Sequence, residues 1–330
     1  MVQTNTMLRP GSDAAVLRIK GTDKALAVTA DCNSLYCLLN PYIGAGIAVA
    51  EAARNLVCSG ARPLALTDCL NFGNPERPDI MWQFILAVEG IADACKALKI
   101  PVVSGNVSFY NETRGLSIYP TPIIGMVGLI EKADRAVSQG FKAEGDTIVL
   151  LGETGEDLGG TEYLRAVHHR EQGTPPMLNL DREAAVQAVA LTAIEQGLVR
   201  SAHDCSEGGL AVALAECCLS APTGPLGTEV VLESKGLRRD SLLFGESQSR
   251  IILSVKSGDL GAVKALAAGF DVPLSVLGCV GGRNLTLSVK DEKGRIDVLI
   301  DRPCRDLAII WRGALRSVLE SPRESEGKHA

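Results

Sequence analysis

At 330 residues the chain exceeds one ordinary domain of about 100–200 residues, and 46% apolar with 22% charged residues describes a globular protein with ample core. A formal net charge of −6 without any Lys/Arg cluster excludes a nucleic-acid footprint and suits neither an anionic membrane surface nor a basic tail. No apolar run of about 18 residues exists, and Met1-Val2-Gln3-Thr4-Asn5 has no leader character, so a cytoplasmic location and no membrane partner are expected.

In chain order, residues 1–10 read as disordered or extended, and 11–21 with 25–29 as a hairpin whose second strand ends at Ala30-Asp31-Cys32-Asn33, with Asp31 at its tip. The alanine-rich run 47–58 predicts a helix closed by Ser59-Gly60, and its small residues predict close packing on a sheet. A strand over 64–68, a polar turn, a helix over 79–98 and a strand over 101–104 follow, then an apolar run over 118–130. The charged, Gly-bearing segment 132–146 marks a boundary. Beyond it the pattern predicts strands at 147–152, 198–203, 229–233, 249–255, 273–279, 284–289 and 296–300. Helices are expected at 160–170, 181–196, 209–219, 258–269 and 304–319, with a frayed tail from 322.

The ten cysteines show no C-x-x-C spacing and read as reduced core residues. No P-loop and no G-x-S-x-G occurs, so a nucleotide would be held in some other way and nucleophilic catalysis finds no support. Three chemical signals remain. Leu66-Thr67-Asp68-Cys69-Leu70-Asn71-Phe72-Gly73-Asn74-Pro75 reads as a strand aiming Asp68 into a polar turn, and Ser104-Gly105-Asn106-Val107-Ser108 as a second turn of that kind. If those ends and Asp31 lie side by side, a carboxylate and an amide oxygen could share Mg²⁺; ordinary turn capping by either Asp is the alternative. Gly208-Gly209 before an Ala-rich helix could hold an anion, or simply serve helix packing. His203-Asp204 resembles an oriented base, with a structural His as the alternative, and His168-His169 lacks a third ligand and reads as exposed.

Together, Asn40-Pro41-Tyr42…Gly44-Ala45-Gly46, Thr67-Asp68-Cys69-Leu70-Asn71-Phe72-Gly73-Asn74-Pro75, Ser104-Gly105-Asn106-Val107-Ser108-Phe109-Tyr110-Asn111 and His203-Asp204-Cys205-Ser206-Glu207-Gly208-Gly209-Leu210 resemble phosphoribosylformylglycinamidine synthase, over residues 9–319. The resemblance is to the C-terminal half of its synthetase subunit. It implies an α+β, two-domain architecture like that of aminoimidazole ribonucleotide synthetase, with an A-type domain at 1–140 and a B-type domain at 141–330. It implies ATP and Mg²⁺ as cofactors, Asp68 and Gly105 as ATP contacts, Asn106 as a Mg²⁺ ligand and Ser108 as a substrate contact.

The implied reaction is that of a carbon–nitrogen ligase of purine biosynthesis. The amide oxygen of formylglycinamide ribonucleotide is activated by phosphorylation, ammonia from a glutaminase subunit attacks, and phosphate leaves. The family's catalytic His belongs to the other half, so the isolated chain, whether fragment or split subunit, is expected to be nearly inactive. The implied partners are the homologous N-terminal half, the glutaminase, or a second copy through the A-type domain. The alternatives are a silent half that binds an auxiliary nucleotide and docks the glutaminase, and a stand-alone homodimeric ATP-dependent relative.

Overall fold

The computed structural model describes residues 5–8 and 11–320; the expected frayed tail lies outside them. β1 (Ala15–Arg18) and β2 (Ala25–Asp31) form the expected antiparallel hairpin, and the extended segment 5–8 lies along its edge, Thr6 bridging Leu17. α1 (Ser34–Leu39) is a short helix that periodicity did not show, because six residues carry too little pattern. Asn33 caps it by accepting the Tyr36 N–H at 3.0 Å. α2 (Pro41–Cys58) starts earlier than its alanine run, since Asn40 caps it and Pro41 occupies its first turn.

β3 (Arg62–Asn71), α3 (Pro78–Leu98) and β4 (Val102–Ser108) make a crossover unit with parallel strands. A small hairpin of β5 (Glu112–Thr113) and β6 (Leu116–Ser117) precedes β7 (Thr121–Ile130). The sheet order is β1-β2-β7-β3-β4, so β4 is an open edge. One face, with Ala25, Ala27, Leu66, Leu70, Ile124 and Met126, is sealed by α2 and α3. Among the described residues no helix lies on the other face, and β7 alternates buried with half-buried residues accordingly.

α2 is buried on nearly every side. It approaches α3 where Gly90 has no side chain, for a Cβ there would lie 2.1 Å from the Tyr42 carbonyl oxygen. Its last turn delivers Val57 and Cys58 into the core of the second unit. The small residues therefore serve helix contacts as well as the expected helix-on-sheet contact.

Residues 131–146 lead to the second sheet. Its elements are β8 (Thr147–Leu151), α4 (Glu162–His168), α5 (Leu180–Glu195), β9 (Val199–Asp204), α6 (Gly209–Leu219), β10 (Thr228–Glu233) and α7 (Arg239–Phe244). They continue with β11 (Ile251–Val255), α8 (Leu260–Gly269), β12 (Leu274–Val280), β13 (Asn284–Lys290), β14 (Ile296–Pro303) and α9 (Cys304–Glu320). Sheet order is β14-β13-β10-β12-β8-β11-β9, with two cores on its two faces. The chain is thus α+β, built from two sheet-and-helix units joined through α2.

Candidate functional site

Asp68 does not sit at a strand tip. β3 runs three residues further, to Asn71, because β7 on one side and β4 on the other pair with it through that length. Gly105, Asn106 and Ser108 likewise lie within β4 and form no turn. Polar side chains misled the sequence reading: Thr67, Cys69 and Asn71 point to the uncovered face while Leu66 and Leu70 point inward, which is ordinary strand alternation.

Asp68 and Gly105 are register partners, and a Cβ on Gly105 would stand 2.3 Å from Asp68 Oδ1. The space that glycine opens is filled by the chain's own carboxylate, which accepts the Asn106 backbone N–H; burial nonetheless raises the Asp68 pKa. Asn106 is the partner of Cys69, its side chain on the opposite face, 3.5 Å from Ser108 Oγ. Asp68 and Asn106 side chains are separated by the sheet, so the Mg²⁺ shared between them that the sequence raised does not fit.

A second locus, between the two units, gathers acids. Asp31 ends β2, accepts from Asn55 Nδ2 at 2.9 Å and Thr29 Oγ1 at 3.0 Å, and is pushed up to about 6, chiefly by burial. Asp204 ends β9 and is pushed up to about 7, again chiefly by burial. Glu51 of α2 is held well above the carboxylate range by burial and by the neighbouring charges of Glu207 and Asp204. Two cations face this group: the wholly buried Arg54 pairs with Glu183 at 2.9 Å, lies 3.6 Å from Asp204 and 3.9 Å from Glu51, and donates to Gln248 at 3.1 Å, and His203 Nδ1 lies 3.9 Å from Asp204 Oδ1. Glu183 is the closest partner of Arg54, burial favours the protonated forms of Asp31, Glu51 and Asp204, and Asp204 Oδ2 is buried without a hydrogen bond, 3.6 Å from Arg54 Nε. Hard oxygen donors with an orphaned buried oxygen are the kind a divalent cation such as Mg²⁺ takes one or two of, although among the described residues the three carboxylates Asp31, Glu51 and Asp204 do not bring their ligand atoms within 4.8 Å of one another.

His203 is no free base. Its Nδ1 lies 2.6 Å from Asp13 Oδ1 and its Nε2 3.1 Å from Glu216 Oε2. Burial would lower its pKa, but those two acids outweigh burial and hold it well above the usual value, as an imidazolium. Ligand atoms of Asp13, His203 and Asp204 lie within 4.8 Å of one another, yet both ring nitrogens are already engaged. His168 and His169 are exposed at the end of α4, as expected.

Of the Gly208-Gly209 pair, the Gly208 N–H meets an acid that belongs to the protein, while the Gly209 N–H goes to the Ser206 carbonyl. Glu246 Oε1 accepts from the N–H groups of Gly208 at 2.7 Å and Glu162 at 2.8 Å, while Tyr36 donates to Oε2. Glu246 opens a five-residue polar stretch, Glu246-Ser247-Gln248-Ser249-Arg250, buried throughout. Its side chains reach Asp157, Arg54, Glu183 and Thr154, wiring both units together. This hub and the roles of Glu51, Arg54 and Asn55 escaped the sequence reading. The one available signal was an unbroken run of polar residues leading into an apolar strand.

Fold and site together define an AIR synthase-type protein. The chain belongs to this family: the description "AIR synthase related protein, N-terminal domain" matches residues 11–130, and "AIR synthase related protein, C-terminal domain" matches 143–290. Within the family it is similar to phosphoribosylformylglycinamidine synthase subunit PurL, 55% identical over 315 residues to that of Moorella thermoacetica and 49% over 321 residues to that of Alkaliphilus metalliredigens. These alignments cover 96% and 97% of this chain and 42% of each relative, so the chain spans about two fifths of their length. Among solved structures, T. maritima PurL complexed with FGAR superposes with a TM-score of 0.74 at 21% identity, covering 92% of this chain and 49% of that one. The hydrogenase maturation protein HypE in complex with ATP gives 0.62 at 18% identity, with 88% of both chains covered. At such identities these likenesses concern the fold.

Proposed function

We propose that this chain is the C-terminal half of the cytoplasmic, ATP-dependent ligase that converts formylglycinamide ribonucleotide to formylglycinamidine ribonucleotide in purine biosynthesis, with ammonia from a glutaminase partner. The observation that carries this reading is the 55% identity to a PurL subunit across 96% of the chain, although the chain spans only 42% of that subunit. In this reading the domains divide as 1–140 and 141–330. Asp31, Glu51, Asn55 and Asp204 are the residues that would hold Mg²⁺, which when bound neutralises nucleotide phosphate charge. Asp68 and Gly105 on the helix side of the β3–β4 edge stay assigned to ATP. On the opposite face Asn106 stays assigned to metal and Ser108 to substrate, with further donors to come from the partner half.

The chain's own residues bind and orient. Arg54 fixes Glu51 and Asp204, and the Glu246 hub, which accepts from the N–H groups of Gly208 and Glu162, holds the starts of α6 and α4 beside them. The burial of that acidic group between the two units favours, as a second reading, a silent half that holds an auxiliary nucleotide. The chain alone, then mixed with the N-terminal half and the glutaminase, should be assayed with formylglycinamide ribonucleotide and ATP. We expect turnover only in the mixture; robust synthesis by the chain alone would overturn the half-enzyme reading. Loss of activity in the assembled Asp68→Ala enzyme, with folding intact, supports direct participation, and unchanged activity supports the silent half.

A further inference from the structure

We propose that Cys32 and Cys37 are a modification site: a thiol pair that closes to a reversible disulfide beside the acidic locus. The reason they meet is local. Asn33 is the N-cap of α1, so Cys32 is the residue before the cap and Cys37 the fourth residue of the helix. Side chains at these two positions pack on one another at a capped helix start. The cap is intact, with Asn33 accepting the N–H groups of Tyr36 at 3.0 Å and Cys37 at 3.2 Å, and the neighbouring Cys32 thiol together with burial pushes the Cys37 pKa up.

Access is unequal, as such a pair requires. Cys32 is half-buried and lines a cavity of about 320 Å³ with Asn33, Ser34, Leu35 and Glu207, whereas Cys37 is sealed in the core. The backbone at Cys37 is pinned against α2, because a Cβ on Gly44 would lie 2.4 Å from the Cys37 nitrogen. Cys32 stands in the two-residue link between β2 and α1 and is the residue able to move. In the cytosol such bonds are transient and redox-sensing, and exposed ones are the labile ones.

The chemistry balances with a low-molecular-weight disulfide such as oxidised glutathione. The Cys32 thiolate attacks one glutathione sulfur and expels the other as thiolate. The Cys37 sulfur then attacks Cys32 Sγ, its proton passing to the departing second glutathione. Two protein thiols are oxidised by two electrons and one oxidant disulfide is reduced to two thiols. Closure draws Cys32 towards α1, and with it Asp31, away from Asn55.

The full chain should be incubated with oxidised glutathione, acid-quenched, denatured, alkylated and mapped by mass spectrometry. Three other cysteines serve as internal references. Cys279 is exposed and should stop at a glutathione adduct, and Cys218 with Cys304, a second thiol contact sealed within the core, should stay reduced. We expect both alkylatable thiols at 32 and 37 to be lost together and restored by dithiothreitol, while Cys37→Ser stops at a glutathione adduct on Cys32. A persistent adduct on Cys32 in the parent chain, or free thiols at both positions once Cys279 is fully modified, would overturn the proposal. A second arm, Mg-ADP titration of reduced and oxidised chain, rests on the nucleotide reading above and should show weaker binding after oxidation. A disulfide that forms while neither form binds Mg-ADP counts against that reading and leaves the thiol pair standing.

Discussion

Asp31 and Asp204 keep their protons to about pH 6 and 7, against 3.8 for an ordinary aspartate. As pH rises from about 4 to about 7 the unfolded chain ionises these groups while the folded chain holds their protons. Folding stability contributed by them therefore falls across that window and levels off above it. Glu51, also raised, acts with the same sign. A divalent cation binds the ionised form and should reverse the loss. With chelator present, the melting temperature should be lower at about pH 8 than at about pH 5.5, and Mg²⁺ should raise it more at the higher pH. An equal Mg²⁺ response at both would count against the cation locus. Asp204→Asn should abolish the response while stabilising the metal-free protein at high pH.

Gly105 offers a separate test of a single atom. Gly105→Ala places a methyl 2.3 Å from Asp68 Oδ1 and should cost about 1–3 kcal/mol in denaturant unfolding. Combined with Asp68→Ala the cost should shrink, since the clashing group is gone. Additive losses would show that the close approach is not what glycine serves there.

Among the elements, α2 is the one on which both units depend. Its Arg54 is wholly buried against Glu183 of α5, so Arg54→Met leaves a buried carboxylate without its counter-charge, at about 3–5 kcal/mol. Adding Glu183→Gln should recover part of that loss, as read by urea titration. Full additivity would mean that the pair does not act as a unit. Strand and helix positions were largely legible because their periods run over whole elements: α3, α5 and α6 begin and end within a residue of expectation. The exceptions have physical causes. β3 and β4 extend through polar residues because neighbouring strands supply ladder partners, and such partners lie elsewhere in the chain. α1 and α7 are too short to carry a period.

At the scale of the whole molecule, the described residues cover the first sheet on one face only. Leu17 and Val28 on the other are 39% and 42% exposed, with Ile123, Val127 and Leu129 half-buried beside them. A partly apolar face of this kind on a globular domain marks an interface, which accords with the proposed partner half or a second copy. Sedimentation should show self-association of the chain, or its complex with the N-terminal half. Leu17→Glu with Val28→Glu should abolish association while leaving the circular dichroism unchanged. A parent chain that stays monomeric and binds no N-terminal half would remove this interface.

Sequence by itself determined the class of fold and the family, because periodic apolar faces and four ordered motifs are local properties of the chain. It also marked Asp31, Asp68, Asn106 and His203 as the residues to watch. Tertiary structure decided what each of them can do. The β pleat put Asp68 and Asn106 on opposite faces, and Asp13 with Glu216 closed both nitrogens of His203. The packing of α2 between two sheets brought Glu51, Asn55 and Arg54 to Asp31 and Asp204. Charge compensation and burial depend on which distant segments meet, and no local pattern of residues carries that information.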